Sequence, residues 1–341
     1  MKKILLILSS FILFAATVIL MSVPLTSDSF YGDALCISAP GAPLKLPKLP
    51  SSEEFILRHS IASASISDSE DDSSPVPAEE SYTPETEPLP PPSDIIETTI
   101  QKGSSSLFGI EINNETDYDL SSALKEVQRP SSPTVLIVHT HTSESYRPSD
   151  KFPYIPKDNS RTEDTCFNVA RVGEELRSSL SAYGINVIHD STVNDYPSYN
   201  GSYKKTLELI EAHLKKNPSI DIIIDLHRDA MERTDGTKIS TVCTAENEKA
   251  AQVMLVVGTD RSGLNHPDWR DNFSFAVELQ NIINENFPHL TRPLNVRNER
   301  FNGHISGKEL IIEVGTTGNT LDEALVSARA LAFAINEFYT G

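Results

Sequence analysis

The chain has 341 residues and a formal net charge of −19. The acid is concentrated: residues 51–100 carry twelve acidic side chains against one base, Arg58, and no basic stripe follows, which speaks against nucleic acid as a partner. The three cysteines, Cys36, Cys166 and Cys243, form no CxxC pair, so the sequence carries neither a thiolate zinc signature nor a disulfide framework; a single Cys166–Cys243 bridge stays open.

Met1-Lys2-Lys3 leads into an uncharged apolar run at 4–24, long enough to span a bilayer as a helix. The two lysines hold its start on the cytoplasmic side and send the rest of the chain outside. A cleaved signal peptide is the competing reading, but such peptides have apolar cores of about 7–15 residues and a small-residue cleavage site. Either way the chemistry is extracytoplasmic. Residues 25–104 are rich in Ser, Pro, Glu and Asp. They offer too little apolar area to offset ordering entropy, and prolines and like charges extend them. They read as a linker ahead of a globular domain at 105–341.

Within that domain, Phe108 to Ile112 alternates like an edge strand, and Thr134 to Val138 is a buried strand behind Ser131-Ser132-Pro133. A helix is expected from about Glu163 to Tyr183, closed by Gly184. Ile185 to Ile188 is the next strand. Tyr203, Leu207, Ile210 and Leu214 mark a helix ended by Asn217-Pro218, and Ile220 to Leu226 is a strongly apolar strand. Thr237 to Cys243 reads as an edge strand and Val253 to Val257 as a buried one. Phe273, Ala276, Leu279, Ile283 and Phe287 share a helix face, and Leu310 to Ile312 forms the last strand. The closing helix begins at Thr320-Leu321-Asp322-Glu323, a capping box. This alternation predicts an α/β domain with a mostly parallel or mixed sheet flanked by helices.

In such sheets ligands bind beyond the carboxyl ends of the strands. The first buried strand is followed by His139-Thr140-His141-Thr142-Ser143-Glu144-Ser145-Tyr146, the strand at 220–226 by His227-Arg228-Asp229, and the last strand ends in Glu313. Three strands thus deliver imidazoles and carboxylates to one edge. Two histidines and a carboxylate are a ligand set for catalytic zinc, and a further carboxylate serves as proton acceptor for the attacking water. Nucleophilic catalysis fits less well: there is no G-x-S-x-G elbow, although Ser143 and Ser145 lie near histidines.

The stretch Val135 to Tyr146, the segment Asn265-His266-Pro267-Asp268-Trp269 and the ending Glu313-Val314-Gly315 resemble the stage II sporulation protein P family over about residues 105–341. More distantly the domain is similar to zinc-dependent N-acetylmuramoyl-L-alanine amidases. That resemblance implies a hydrolase that cuts the amide between N-acetylmuramic acid and the stem peptide of peptidoglycan, with a possible second activity on peptide cross-links. It implies Glu313 as the catalytic base and His227 as a zinc ligand. For the first histidine ligand, counting from the strand favours His141 over His139. For the carboxylate ligand, a helix-opening position favours Glu163 over Glu144. Asp225 and Asp229 flank His227 and are both placed to orient its ring, with Asp225 favoured because it shares a strand face with His227. Arg228, Arg297, Arg300 and Asn302 are candidate contacts for an acidic stem peptide. The resemblance further implies Zn2+ as cofactor, a single-pass location in the cytoplasmic membrane, and a complex with a second wall-degrading enzyme and a polytopic membrane protein during engulfment. The alternatives from other classes are a non-catalytic wall-binding scaffold and a serine hydrolase.

Overall fold

The computed structural model describes residues 95–155 and 160–341. The expected anchor at 4–24 and the linker up to residue 94 lie outside the described residues. Among the described residues no helix is long and apolar enough to cross a membrane.

Eleven strands and four helices follow one another among the described residues: β1 (Ile95–Thr98), β2 (Ser105–Leu107), β3 (Ile110–Asn114), β4 (Thr134–Val138), α1 (Val169–Ala182), β5 (Asn186–His189), α2 (Ser202–Lys216), β6 (Ile220–Asp229), β7 (Lys238–Ala245), β8 (Glu248–Ala251), β9 (Val253–Gly258), α3 (Trp269–Asn286), β10 (Leu294–Arg297), β11 (Glu309–Thr316) and α4 (Leu321–Thr340). The main sheet has eight strands in the order β2-β3-β10-β9-β11-β6-β4-β5, and a smaller sheet has the order β1-β7-β8. β11, β6, β4 and β5 are mutually parallel. β9, parallel to β10, meets β11 antiparallel. The main sheet is therefore mixed, with its direction reversing between β11 and β9. One consequence matters for the site: the ends of β4, β6 and β11 lie at the same sheet edge as the beginnings of β3, β9 and β10.

Strand alternation divides the core between two faces. Val135, Ile137, Ile222, Ile224, Leu226, Leu310, Ile312 and Val314 join the large cluster with α1, α3 and α4. Leu136, Val138 and Ile223 pack under Ile210 of α2, and Met254, Val256 and Ile311 under Tyr203 and Phe301. Burial of each such aliphatic side chain contributes about 1.5–3 kcal/mol. The capping box of α4 is complete: Thr320 accepts from the Glu323 N–H, and the Glu323 side chain accepts from Thr320 N–H.

The structure corrects four expectations and closes one reading left open. A strand at Ile95–Thr98 lies within the segment expected to be linker up to residue 104, because Ile95 and Ile96 pair with Lys238 and Ile239 of β7; two isoleucines beside an acidic stretch carry no period to reveal a strand. α1 starts at Val169, not Glu163, because the Asn168 side chain caps it by accepting from Ala170 N–H. Phe108-Gly109 is a hairpin turn with left-handed backbone, and β3 behind it lies between β2 and β10 rather than at an edge. β7 is the centre of the small sheet, covered by β1 and β8. Cys243 is a free thiol, so no Cys166–Cys243 bridge forms.

Candidate active site

The turn that leaves β4 is buried yet polar, and its Ser and Thr residues satisfy it. Thr140 donates to Asp225 from both N–H (2.7 Å) and hydroxyl (2.6 Å). The Thr142 hydroxyl reaches the carbonyls of His139 and Thr192. The Ser143 hydroxyl donates to Asp195 at 2.6 Å, and Arg161 binds both. Each such bond has a net worth of about 1 kcal/mol, but leaving one of these buried groups unpaired would cost more. Ser143 is therefore committed to Asp195 and Arg161, and Ser145 hydrogen-bonds the Tyr154 hydroxyl. Neither is paired with an imidazole, so the serine-hydrolase alternative lacks its nucleophile–base contact.

This turn sends its two histidines to different places. His139 is fully buried beneath α1: its Nδ1 lies 2.9 Å from Leu226 O and its Nε2 2.9 Å from His189 Nε2. Gly173 lets the helix come this close, since a Cβ there would stand 2.7 Å from His139 Nε2. Burial, then the neighbouring His189, pushes the His139 pKa down to about 3. His141 instead lines a cleft together with Glu144, Tyr203, His227, Arg228, Asp229, Ala230, Ile311 and Glu313. Tyr199 stacks on the His141 ring at 4.3 Å, and the His227 ring meets it edge-on at 5.2 Å. Burial lowers its pKa to about 4, which keeps it a neutral imidazole at neutral pH.

His227 and Glu313 are direct register partners on adjacent parallel strands. His227 sits between two carboxylates: Nε2 lies 3.0 Å from Asp225 Oδ1 and Nδ1 lies 3.5 Å from Glu144 Oε2. The first is a charge contact rather than an aligned hydrogen bond, since Nε2 has no partner in hydrogen-bond geometry. Burial disfavours its charge, but Asp225 and Glu144 outweigh this and raise its pKa well above the usual value. Burial would likewise raise Glu144, yet His227 and Arg228 hold it below the usual carboxylate range. Glu144 Oε2 also accepts from Arg228 N–H at 2.9 Å.

Glu313 has no such support. Burial, then the charge of Asp229, pushes its pKa up to about 8, and its Oε2 has no hydrogen-bond partner. Just beyond it the β11–β6 register shifts between Glu313 and Thr316, as at the bulges that end pairing near functional sites. Gly315 turns there with φ +70, where a Cβ would press to 2.9 Å on Ala251.

Thus the cleft brings together His141, His227, Glu144 and Glu313, with Asp225 behind His227. It does not include His139 or Glu163. Glu163 is exposed on the loop six residues before α1 begins, so the helix-opening argument that favoured it fails with the position of the helix start. Of the four proposed peptide contacts, Arg228 lines the cleft, while Arg297 pairs with Glu115 and Glu299 where β10 ends, Arg300 bonds Asn265 O and Asn302 bonds Tyr203 O. Tyr199, Tyr203, Arg161 and Asp195 were not singled out from sequence as site residues. Tyr203 reaches the site from α2, Asp195 and Tyr199 from the loop before it, and Arg161 from the loop before α1; none carries a motif of its own.

The family model described as stage II sporulation protein P (SpoIIP) matches residues 58–336. The chain belongs to the stage II sporulation protein P family. It is 27% identical over 274 residues to stage II sporulation protein P of Bacillus subtilis (strain 168), an overlap covering 76% of this chain. The chain spans 63% of the length of that curated relative. Among solved structures it is similar to the catalytic domain of CwlV, an N-acetylmuramoyl-L-alanine amidase from Bacillus (Paenibacillus) polymyxa var. colistinus, at 14% identity and TM-score 0.34, covering 61% of this chain and 98% of that one. The amidase AmiC2 of Nostoc punctiforme matches at 10% identity and TM-score 0.35, covering 63% of this chain and all of that one. At such scores neither likeness adds to the assignment.

Proposed function

We propose that this SpoIIP-family chain hydrolyses peptidoglycan at the amide joining N-acetylmuramic acid to the stem peptide, with its catalytic domain outside the cytoplasmic membrane. The observation that carries this reading is the meeting of His141, Glu144, His227 and Glu313 in one cleft at the ends of three adjacent strands. The donor set suits zinc: two imidazoles, a carboxylate and a nearby second carboxylate. Among the described residues, no group of three or more His, Cys, Asp or Glu is arranged to hold a metal ion, so the fit rests on donor chemistry and on the unpartnered Glu313 oxygen.

His141, His227 and Glu144 would hold the ion, and Asp225 would steady His227 through Nε2. Bound zinc supplies Lewis acidity for the scissile carbonyl and acidifies water. Glu313 takes the proton of the attacking water and delivers it to the leaving amine, a task suited to a base whose proton affinity lies near neutrality. Arg228 and Tyr203 border the same cleft and would contact the substrate. The run at 4–24 would anchor the chain and 25–94 give it reach. The proposed partners are a second wall-degrading enzyme and a polytopic membrane protein of engulfment, with cross-link cleavage as a second activity.

Digestion of purified peptidoglycan by the full chain tests this, run untreated, with chelator, with zinc restored, and as Glu313→Gln, with products read by mass spectrometry. Free stem peptides that disappear with chelator, return with zinc and are absent in the variant support it. No product under any condition, partner included, leaves the non-catalytic scaffold as the better reading.

A further inference from the structure

A second cavity, of about 300 Å³, lies near the start of β10 and is lined by residues of β3, α3 and the segment from Pro288 to Pro293. Such a volume is at the small end of ligand pockets, suited to one or two amino-acid residues. Because β3, β9 and β10 begin where β4, β6 and β11 end, this cavity shares the sheet edge of the candidate active site. The two are joined by one buried ion pair. Arg292 lines the second cavity and Asp229 lines the cleft, with Arg292 Nη2 2.7 Å from Asp229 Oδ2 and both residues almost fully buried.

Its lining is prepared for a polar guest. Gln280 is 1% exposed, donates its amide to Arg292 O, and leaves Oε1 without a partner. Arg292 is 4% exposed and leaves Nε and Nη1 without partners. Buried groups of this kind are costly unless something pairs with them. His289 on the cavity wall holds a left-handed backbone, φ 72, rare for a non-glycine residue, and such strain gathers at ligand sites. Glu111, half-buried, also lines the cavity, and its Oε2 accepts from Gly103 N–H. The cavity lining thus combines a buried cation, a half-buried carboxylate and amides.

We propose that this cavity is a substrate subsite for a zwitterionic amino-acid residue of the stem peptide, one carrying a free carboxylate and a free ammonium beyond the scissile amide. The carboxylate faces the Arg292 end, the ammonium pairs with Glu111, and the Gln280 oxygen accepts an N–H from the guest. This rests on the reading of the cleft as the hydrolytic site.

The test uses the full chain and three soluble probes, each amidated at its C-terminal α-carboxyl: N-acetylmuramoyl dipeptide, the same with a third residue of meso-diaminopimelate, whose far end keeps a carboxylate and an ammonium, and the same with lysine in third place, which keeps the ammonium alone. In parallel, calorimetry measures binding of the sugar-free diaminopimelate tripeptide to Glu313→Gln protein, so that binding is read without hydrolysis. We expect kcat/KM at least tenfold higher for the diaminopimelate probe than for the dipeptide, with the lysine probe between. Glu111→Gln should reduce that preference at least fivefold and weaken tripeptide binding, with Asn284→Ala as a second wall variant and thermal unfolding as the check on folding. Hydrolysis of all three probes within twofold, with no tripeptide binding, overturns the subsite and leaves the amidase reading intact. Absence of hydrolysis with tripeptide binding that Glu111→Gln weakens overturns the amidase reading and keeps the subsite. Neither hydrolysis nor binding overturns both.

Discussion

The two ends of β11 carry the same side chain in the same electrostatic condition, yet they do different things. Glu309 and Glu313 point to one face of the strand, are almost fully buried, and have pKa values pushed up to about 8. At both, burial is the largest cause, followed by a nearby aspartate: Asp225 for Glu309 and Asp229 for Glu313. Glu313 opens onto a cleft shared with two histidines and a second carboxylate. Glu309 sits at the other end of the strand, where a Cβ added at Gly303 would meet His266 Nε2, Glu309 Oε2 and Asn272 Nδ2 together at 3.0–3.6 Å. A shifted pKa therefore does not mark a catalytic group by itself; what distinguishes Glu313 is the company that converges on the same open space.

The sharpest way to break this comparison is to neutralise each carboxyl in turn. Glu313→Gln should lower peptidoglycan hydrolysis by about 10³-fold, the scale of a lost general base, with the melting temperature retained. Glu309→Gln should leave the rate within about twofold. Equal losses in the two variants would end the distinction.

The histidine pair of the β4 turn offers the next largest effect. His141→Ala and His227→Ala should each abolish stoichiometric zinc, read by elemental analysis of the purified full chain. His139→Ala should keep its zinc but lose about 2–3 kcal/mol of stability, because it leaves a buried polar cavity under α1. Zinc loss in the His139 variant would reverse the roles of the two residues.

Glu309 should also show itself through pH. Burial, then the charge of Asp225, pushes its carboxyl from the ordinary 4.5 up to about 8 in the folded chain. The folded state therefore holds a proton that the unfolded chain has lost. That contribution to stability is fully present below the unfolded value and is lost as pH rises through the folded one. Glu309→Gln removes the effect, so its melting temperature should rise relative to the parent as pH goes from about 5 to 8. The difference should reach about 2–4 kcal/mol. A pH-independent difference would mean that Glu309 finds a partner in solution. The smallest effect separates the two rival carboxylates: Glu144→Gln should weaken zinc binding about tenfold, whereas Glu163→Gln, on an exposed loop, should stay within about twofold.

Much of the fold was legible because its long elements are strongly periodic or continuously apolar. β4, β6, β9, the faces of α2 and α3, and the capping box of α4 all follow from residue pattern. What escaped were short pieces such as β1, β8 and β10, which are strands only because a neighbour supplies their hydrogen bonds. The convergence of His139-Thr140-His141, His227 and Glu313 on one sheet edge could be read from their places just after apolar strands. The sequence alone thus determines an α/β domain with imidazoles and carboxylates gathered at the ends of three strands.

Only the tertiary structure decides which member of each pair faces the cleft. His139 and His141 are two residues apart and chemically identical. α1, packing at Gly173, covers one, while the turn held by Asp225 and Asp195 turns the other, itself buried, toward the cleft it shares with His227 and Glu313. Glu163 and Glu144 are separated by the same physics: Asn168 fixes where the helix starts, and the Glu144 carboxylate is drawn to His227 and the Arg228 amide. Local pattern specifies which groups are near an edge. Which of them share one space is a matter of long-range packing that no local spacing encodes.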